Sequence, residues 1–192
     1  MVVLVLMSPV GRVVQGLYLI VVGIVFSVRG LIALQDPDFW EPVTDLDYAA
    51  IWTHSLAFLL VAPALVILVR QAQAGSAATA VAWVIAWAAV LTAVANAIED
   101  GFDLEGFGTL YVLAILPFLF GQILLAFLLF RGDHKAFGLV PMLTILGLFA
   151  YDAGGGIVIG ATWVVFGILV LVGRAARASI VEGSTVGPPT PG

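Results

Sequence analysis

Residues 106–130 read GFGTLYVLAILPFLFGQILLAFLLF, 25 residues without one charged side chain. A spanning helix needs ~20 predominantly apolar residues, because ~1.5 Å per residue must cover a hydrocarbon core of ~30 Å. This stretch is long enough, and Gln122 is its only strongly polar side chain away from the ends. Immediately before it lies a second uncharged run, Gln71–Ile98. Two such runs side by side predict a helical hairpin in a membrane rather than a soluble core.

Working outward, the pattern repeats. A span is predicted from about Val10 to Leu34, opened by Ser8-Pro9 as N-cap and first helical residue. Another runs from about Tyr48 to Val69. A fifth, Ala136–Tyr151, is short: 16 residues cover only ~24 Å. The sixth follows Gly154-Gly155-Gly156 and ends near Gly173-Arg174. Over the whole chain, 62% of 192 residues are hydrophobic and only 10% are charged, too few charges to cover a soluble surface. The predicted fold is all-α: a polytopic integral membrane bundle of six transmembrane helices, with the lipid bilayer as its main partner. Residues 1–178 form one domain. Residues 179–192, small, polar and rich in proline, are expected to be a disordered cytoplasmic tail. Met1–Met7 is too short to span and has no basic n-region, so it does not read as a signal peptide.

Charge gives the orientation. Asp36, Asp38, Glu41, Asp45 and Asp47 lie between the first two spans, and Glu99, Asp100, Asp103 and Glu105 between the third and fourth. Arg12, Arg70, Arg131, Lys135, Arg174 and Arg177 lie at the opposite ends. Under the positive-inside rule both termini are cytoplasmic and the acidic loops extracytoplasmic, in the cell (cytoplasmic) membrane. One Lys against six Arg, with abundant Ala, Val, Leu and Gly, suggests a GC-rich bacterial genome.

Several chemistries are excluded or disfavoured. There is no cysteine, hence no disulfide, thiolate metal site or iron–sulfur ligation. Of two histidines, His54 and His134, only His54 falls within a span, which speaks against a bis-histidine haem. No Gly-x-Ser-x-Gly, His-Glu-x-x-His, Walker loop or intramembrane aspartate pair is present. The expectation is therefore no enzyme, no metal, no cofactor and no nucleic acid.

Small residues recur at helical spacing: Gly16, Gly23 and Gly30 in the first span, Ala82, Ala86, Ala89, Ala93 and Ala97 in the third, Gly156, Gly160 and Gly167 in the sixth. In lipid such rows let helices approach closely, either inside the bundle or toward a homo-oligomer or another membrane protein. Pro63 and Pro117 free the carbonyls of Leu59 and Leu113, which either only kink the helices or line a polar path.

The candidate site is a polar vestibule in the outer third. Arg29 either snorkels toward the acidic loops or lines an interior path. His54 has Asp47 seven residues before it on the same helical face, a pair able to pass a proton. Thr92, Asn96 and Glu99 share a face and form a ladder closed by Asp100. Below this level Gln122 is the single midplane candidate, too little for a polar conduction path through one subunit. Asp152 reads as a cap for the sixth helix.

In size, span count and the first-span sequence Gly16-Leu-Tyr-Leu-Ile-Val-Val-Gly23-Ile-Val, the chain resembles the bacterial urea/amide channels. The resemblance covers one helix. The orientation inferred from charge is opposite, and the last span has a single Trp163 rather than a tryptophan-rich pattern, so no residue roles are carried over. Three readings are open: a small transporter or channel component with an acidic extracytoplasmic vestibule, a non-catalytic accessory or stress-related protein that binds membrane partners through its Gly/Ala faces, and a urea/amide-type channel.

Overall fold

The computed structural model describes residues 9–35, 44–132 and 135–183, with side chains within 11–35, 44–132 and 135–173. The segment 1–8, Asp36, Asp38, Glu41, His134 and the tail from 184 onward lie outside the described residues. Six α-helices appear among them: α1 (Pro9–Gln35), α2 (Asp45–Gln71), α3 (Ser76–Asn96), α4 (Gly108–Arg131), α5 (Lys135–Phe149) and α6 (Gly155–Gly183). A π-helical turn, Ala97–Gly101, extends α3, and a 3₁₀ turn, Tyr151–Ala153, precedes α6.

Five helices are long and apolar enough to cross a membrane; α5, with 15 residues, is the shorter apolar one. The outer surface agrees with a membrane setting. Leu31, Leu59, Trp87, Phe120, Leu146 and Leu169, one from each helix, point outward, with Trp87 64% and Phe120 67% exposed. An apolar surface this continuous is stable only against lipid or another apolar partner. The molecule is a multi-pass helical bundle embedded in a membrane.

Helix ends follow local chemistry. Pro9 opens α1, where its missing N–H is harmless. At α2 the Thr44 side chain caps the helix, so α2 starts at Asp45, three residues before the Tyr48 start read from hydropathy. α6 runs to Gly183, five residues into the region assigned to the tail. Ala175-Ala176-Arg177-Ala178 are good helix formers and carry the helix past the last apolar turn.

Each helix packs on its neighbour in sequence, and α6 returns to α1, closing a ring. The α1–α6 contact is the most extensive because two glycine rows meet there. A Cβ on Gly23 would run into the Gly160 carbonyl, one on Gly30 would meet the Ile157 nitrogen at 2.5 Å, and one on Gly16 would stand 3.0 Å from the Gly167 carbonyl. In lipid, where apolar burial gives no advantage over lipid contact, this backbone proximity is the main source of association. The alanine row of α3 is likewise internal: Ala82, Ala86, Ala89 and Ala93 are buried. The small-residue faces of α1, α3 and α6 are thus packed within the bundle.

Aromatic rings fill the interior. Phe26 of α1 meets Phe58 of α2 at 6.3 Å between centroids, and Phe58 meets Phe118 of α4 at 5.0 Å. Nearer the basic end, Phe166 of α6 packs edge-on against Phe137 of α5 at 5.7 Å. Pro63 and Pro117, with Leu59 and Leu113, face outward. The kinks thus turn their freed carbonyls away from the core and line no interior path. Near the first kink, the Tyr18 hydroxyl of α1 donates to the Leu60 carbonyl at 2.6 Å.

Candidate functional site

The acidic-end third of the bundle gathers polar side chains from four elements. Arg29 of α1 is fully buried, so it does not snorkel. Its guanidinium carbon sits 4.9 Å from the centroid of the Tyr151 ring, a cation–π distance. Gly30, beside it, holds α1 against Gly156, which brings Arg29 and the 3₁₀ turn together. Tyr151, Tyr111 and Asp152 are among the groups within electrostatic reach of Arg29, and so is His54.

His54 of α2 lies across the same ring, 5.4 Å from Tyr151 and edge-on. Its Nε2 shares a hydrogen bond with the Tyr111 hydroxyl of α4 at 3.3 Å. Below, His54 stacks on Phe58 at 4.7 Å, one turn further along α2 (i, i+4). Arg29, His54, Tyr111 and Tyr151 thus form one cluster, floored by Phe58 and Phe118. The Tyr151 hydroxyl has no hydrogen-bond partner among the described residues.

The other candidates are distributed around this cluster. Asn96 is buried and ties α3 to α2, donating to Ser55 Oγ at 2.9 Å and to the Ile51 carbonyl at 3.3 Å. Thr92 donates to the Ala88 carbonyl of its own helix at 2.9 Å. The ladder stops there. The π-helical turn at Ala97–Gly101 inserts an extra residue per turn and rotates the side chains after Asn96 about the helix axis, so Glu99 leaves the Asn96 face. Its carboxylate stands against Gly108, with Oε1 3.1 Å from where a Cβ would be. Asp100 comes within electrostatic reach of Tyr111. A Trp52 ring packs edge-on to Phe102 at 5.3 Å and covers Gly101.

Asp47 has a different task. Its carboxylate accepts from the Thr44 N–H at 2.7 Å, and its own N–H donates to Thr44 Oγ1 at 3.2 Å, a capping box. That geometry anchors the start of α2. Gln122 is fully buried on α4, four residues beyond Phe118 and thus on its inner side. The Phe58–Phe118 ring contact lies between the His54 and Gln122 levels of the bundle. Among the described residues no group of three or more His, Asp or Glu could hold a metal ion.

Sequence reading missed Tyr111 and Tyr151 as site residues. The only signal was rarity: the chain has four tyrosines, and Tyr151 adjoins the Asp152 turn. Comparison with protein-family models, with curated proteins and with solved structures finds no match, so the likeness of the first span to urea/amide channels gains no support.

Proposed function

We propose that this is a six-span protein of the cytoplasmic membrane, with both termini inside, that binds a small solute bearing an anionic or strongly accepting group. The binding site is Arg29, His54, Tyr111 and Tyr151, and the role is that of a small transporter component. One observation carries this reading: four separate elements converge a cation, an imidazole and two phenols on one spot inside a membrane bundle. A charged side chain within the bilayer costs roughly 2.5–3.5 kcal/mol at mid-depth on insertion scales and is retained chiefly for function. Arg29 supplies the charge, Tyr111 and Tyr151 supply hydroxyls, and Phe58 seals the floor.

The role is one of binding and passage rather than catalysis. The accessory-protein alternative loses its surfaces, because the glycine rows of α1 and α6 are spent on each other. Melting of the purified protein with a panel of small carboxylates, phosphates and neutral analogues tests the site. At ~100 Kd a ligand that binds only the folded state adds about 2.7 kcal/mol. At least one anion should raise the midpoint of the wild type and leave Arg29→Gln unmoved. A panel without effect on the wild type, or an equal response in the variant, overturns the site. Since the chain lacks cysteine, Asp103→Cys and Ser76→Cys report sidedness cleanly. Labelling of Asp103→Cys from outside, and of Ser76→Cys only after permeabilisation, supports the orientation; the reverse pattern removes it.

A further inference from the structure

The segment 102–107, between the π-helical turn after α3 and the start of α4, lies outside the candidate spans, yet it keeps two large apolar side chains in the open. Phe102 is 64% and Leu104 55% exposed. They alternate with Asp103 and Glu105, which are exposed as well.

This segment does not reach away into water. Asp103 adopts a positive φ of 54°, a conformation Asp tolerates better than most side chains. The Leu104 N–H then donates to the Ile98 carbonyl at 3.2 Å, so the chain doubles back on the π-helical turn. Phe102 meets the Trp52 ring of α2 edge-on at 5.3 Å. Trp52 and Tyr48, one turn earlier, are themselves exposed.

Their depth is fixed by the basic residues at the other end. Trp52 is eighteen residues before Arg70 on α2, hence ~27 Å above the basic end. A hydrocarbon core of ~30 Å ends near that level. On α4, Tyr111 is twenty residues before Arg131, which gives ~30 Å. Phe102 therefore stands at the boundary where aromatic side chains collect. It also continues the outward apolar surface of α2 formed by Leu59, Leu56 and Trp52.

We propose that segment 102–107 is a membrane anchor: Phe102 and Leu104 enter the acidic-end leaflet, while Asp103 and Glu105 stay among its headgroups. Charge selects the headgroup. Between Arg29 and Arg131 the only Lys or Arg is Arg70, which lies at the basic end, and Arg29 is buried. Glu99, Asp100, Asp103 and Glu105 thus give this rim a negative field, which repels anionic lipids by the same force that draws them to basic segments. The partner is a surface of zwitterionic lipid. The anchor does not depend on the solute proposed for the Arg29 cluster.

The test labels the full, cysteine-free chain at Leu104→Cys with a nitrobenzoxadiazole dye, in phosphatidylcholine vesicles. Phe102→Cys serves if that protein does not fold. Two quenchers are compared: iodide on both sides of the membrane, and lipid carrying a nitroxide near the top of its acyl chain. Strong quenching by the nitroxide lipid, with iodide several-fold less effective than on the dye–cysteine adduct in buffer, supports the anchor. Iodide quenching equal to that of the adduct places the segment in water and overturns it. Shielding from both quenchers places protein over the segment, a second copy included, and also overturns it. With the nitroxide on phosphatidylcholine or on phosphatidylglycerol at equal mole fraction, quenching at ~0.01 M salt should be about twofold stronger for phosphatidylcholine and should converge near ~1 M, where the screening length is ~3 Å. Equal quenching at low salt overturns the headgroup preference.

Discussion

α1 and α6 build two unlike regions with the same pair of helices. Along most of their length they touch backbone to backbone through Gly16, Gly23, Gly30, Gly156, Gly160 and Gly167. At the acidic end, the residue next to Gly30 is Arg29, and the turn before α6 carries Tyr151. The seam sets glycines against the partner helix backbone, with Ile20, Val164 and Leu171 closing over them, and leaves no room for an added Cβ. The cluster contains a charge, an imidazole and two phenols, and its Tyr151 hydroxyl has no partner among the described residues. In lipid, close packing holds helices together while isolated polar contacts add modestly. The seam is thus where close packing is concentrated, and the cluster is where buried polar groups cost stability.

The contrast can be broken most directly at Gly160, where a Cβ would meet Ser27 Oγ and the Gly23 carbonyl. Overpacking costs typically 1–3 kcal/mol and more against rigid backbone, so Gly160→Val should abolish the monodisperse folded protein in size exclusion. A wild-type elution and melting profile would show that the seam is not close-packed. Next in size is Asn96→Ala, which removes the bonds to Ser55 and Ile51 and should cost about 1 kcal/mol by chemical unfolding. No change would mean that α2 and α3 are held by packing alone.

Further along α6, Gly173 has nothing within 4 Å of an added Cβ. There Gly173→Ala should stabilise, by roughly 0.5–1 kcal/mol from helix propensity, the opposite sign to Gly160 on the same helix. A destabilised Gly173→Ala would imply an unseen neighbour at that end. Tyr111→Phe should move stability least, by about 0.6 kcal/mol for one interhelical hydrogen bond. It should still weaken any anion-induced rise in melting temperature. If Tyr111→Phe unfolds the protein as Gly160→Val does, the cluster is structural and the division between seam and cluster fails.

Legibility differed between these regions for a physical reason. The glycine rows were visible because spacing alone places them on one face; what spacing could not show is that the row of α1 meets the row of α6. In the cluster, Arg29 and His54 stood out because ionisable groups are rare in apolar runs. Tyr111 and Tyr151 did not, because tyrosine is common at membrane interfaces. Asp47, spaced to share a face with His54, also caps its helix through Thr44, a role the spacing does not reveal. Glu99 was misaligned by the π-helical turn, whose extra residue leaves no hydropathy signature.

Residues 106–130 and their uncharged neighbours determined by themselves that this is a helical membrane protein, because ~20 apolar residues without charge have no other stable environment. The same hydropathy located the helices to within a few residues. Tertiary structure alone decided that the first and last helices close the ring, that Arg29 is sealed under Tyr151 rather than turned outward, and that Phe58 and Phe118 stand between His54 and Gln122. Hydropathy records how much each residue dislikes water; it carries no information about which of several equally apolar faces will meet, and that choice rests on shape.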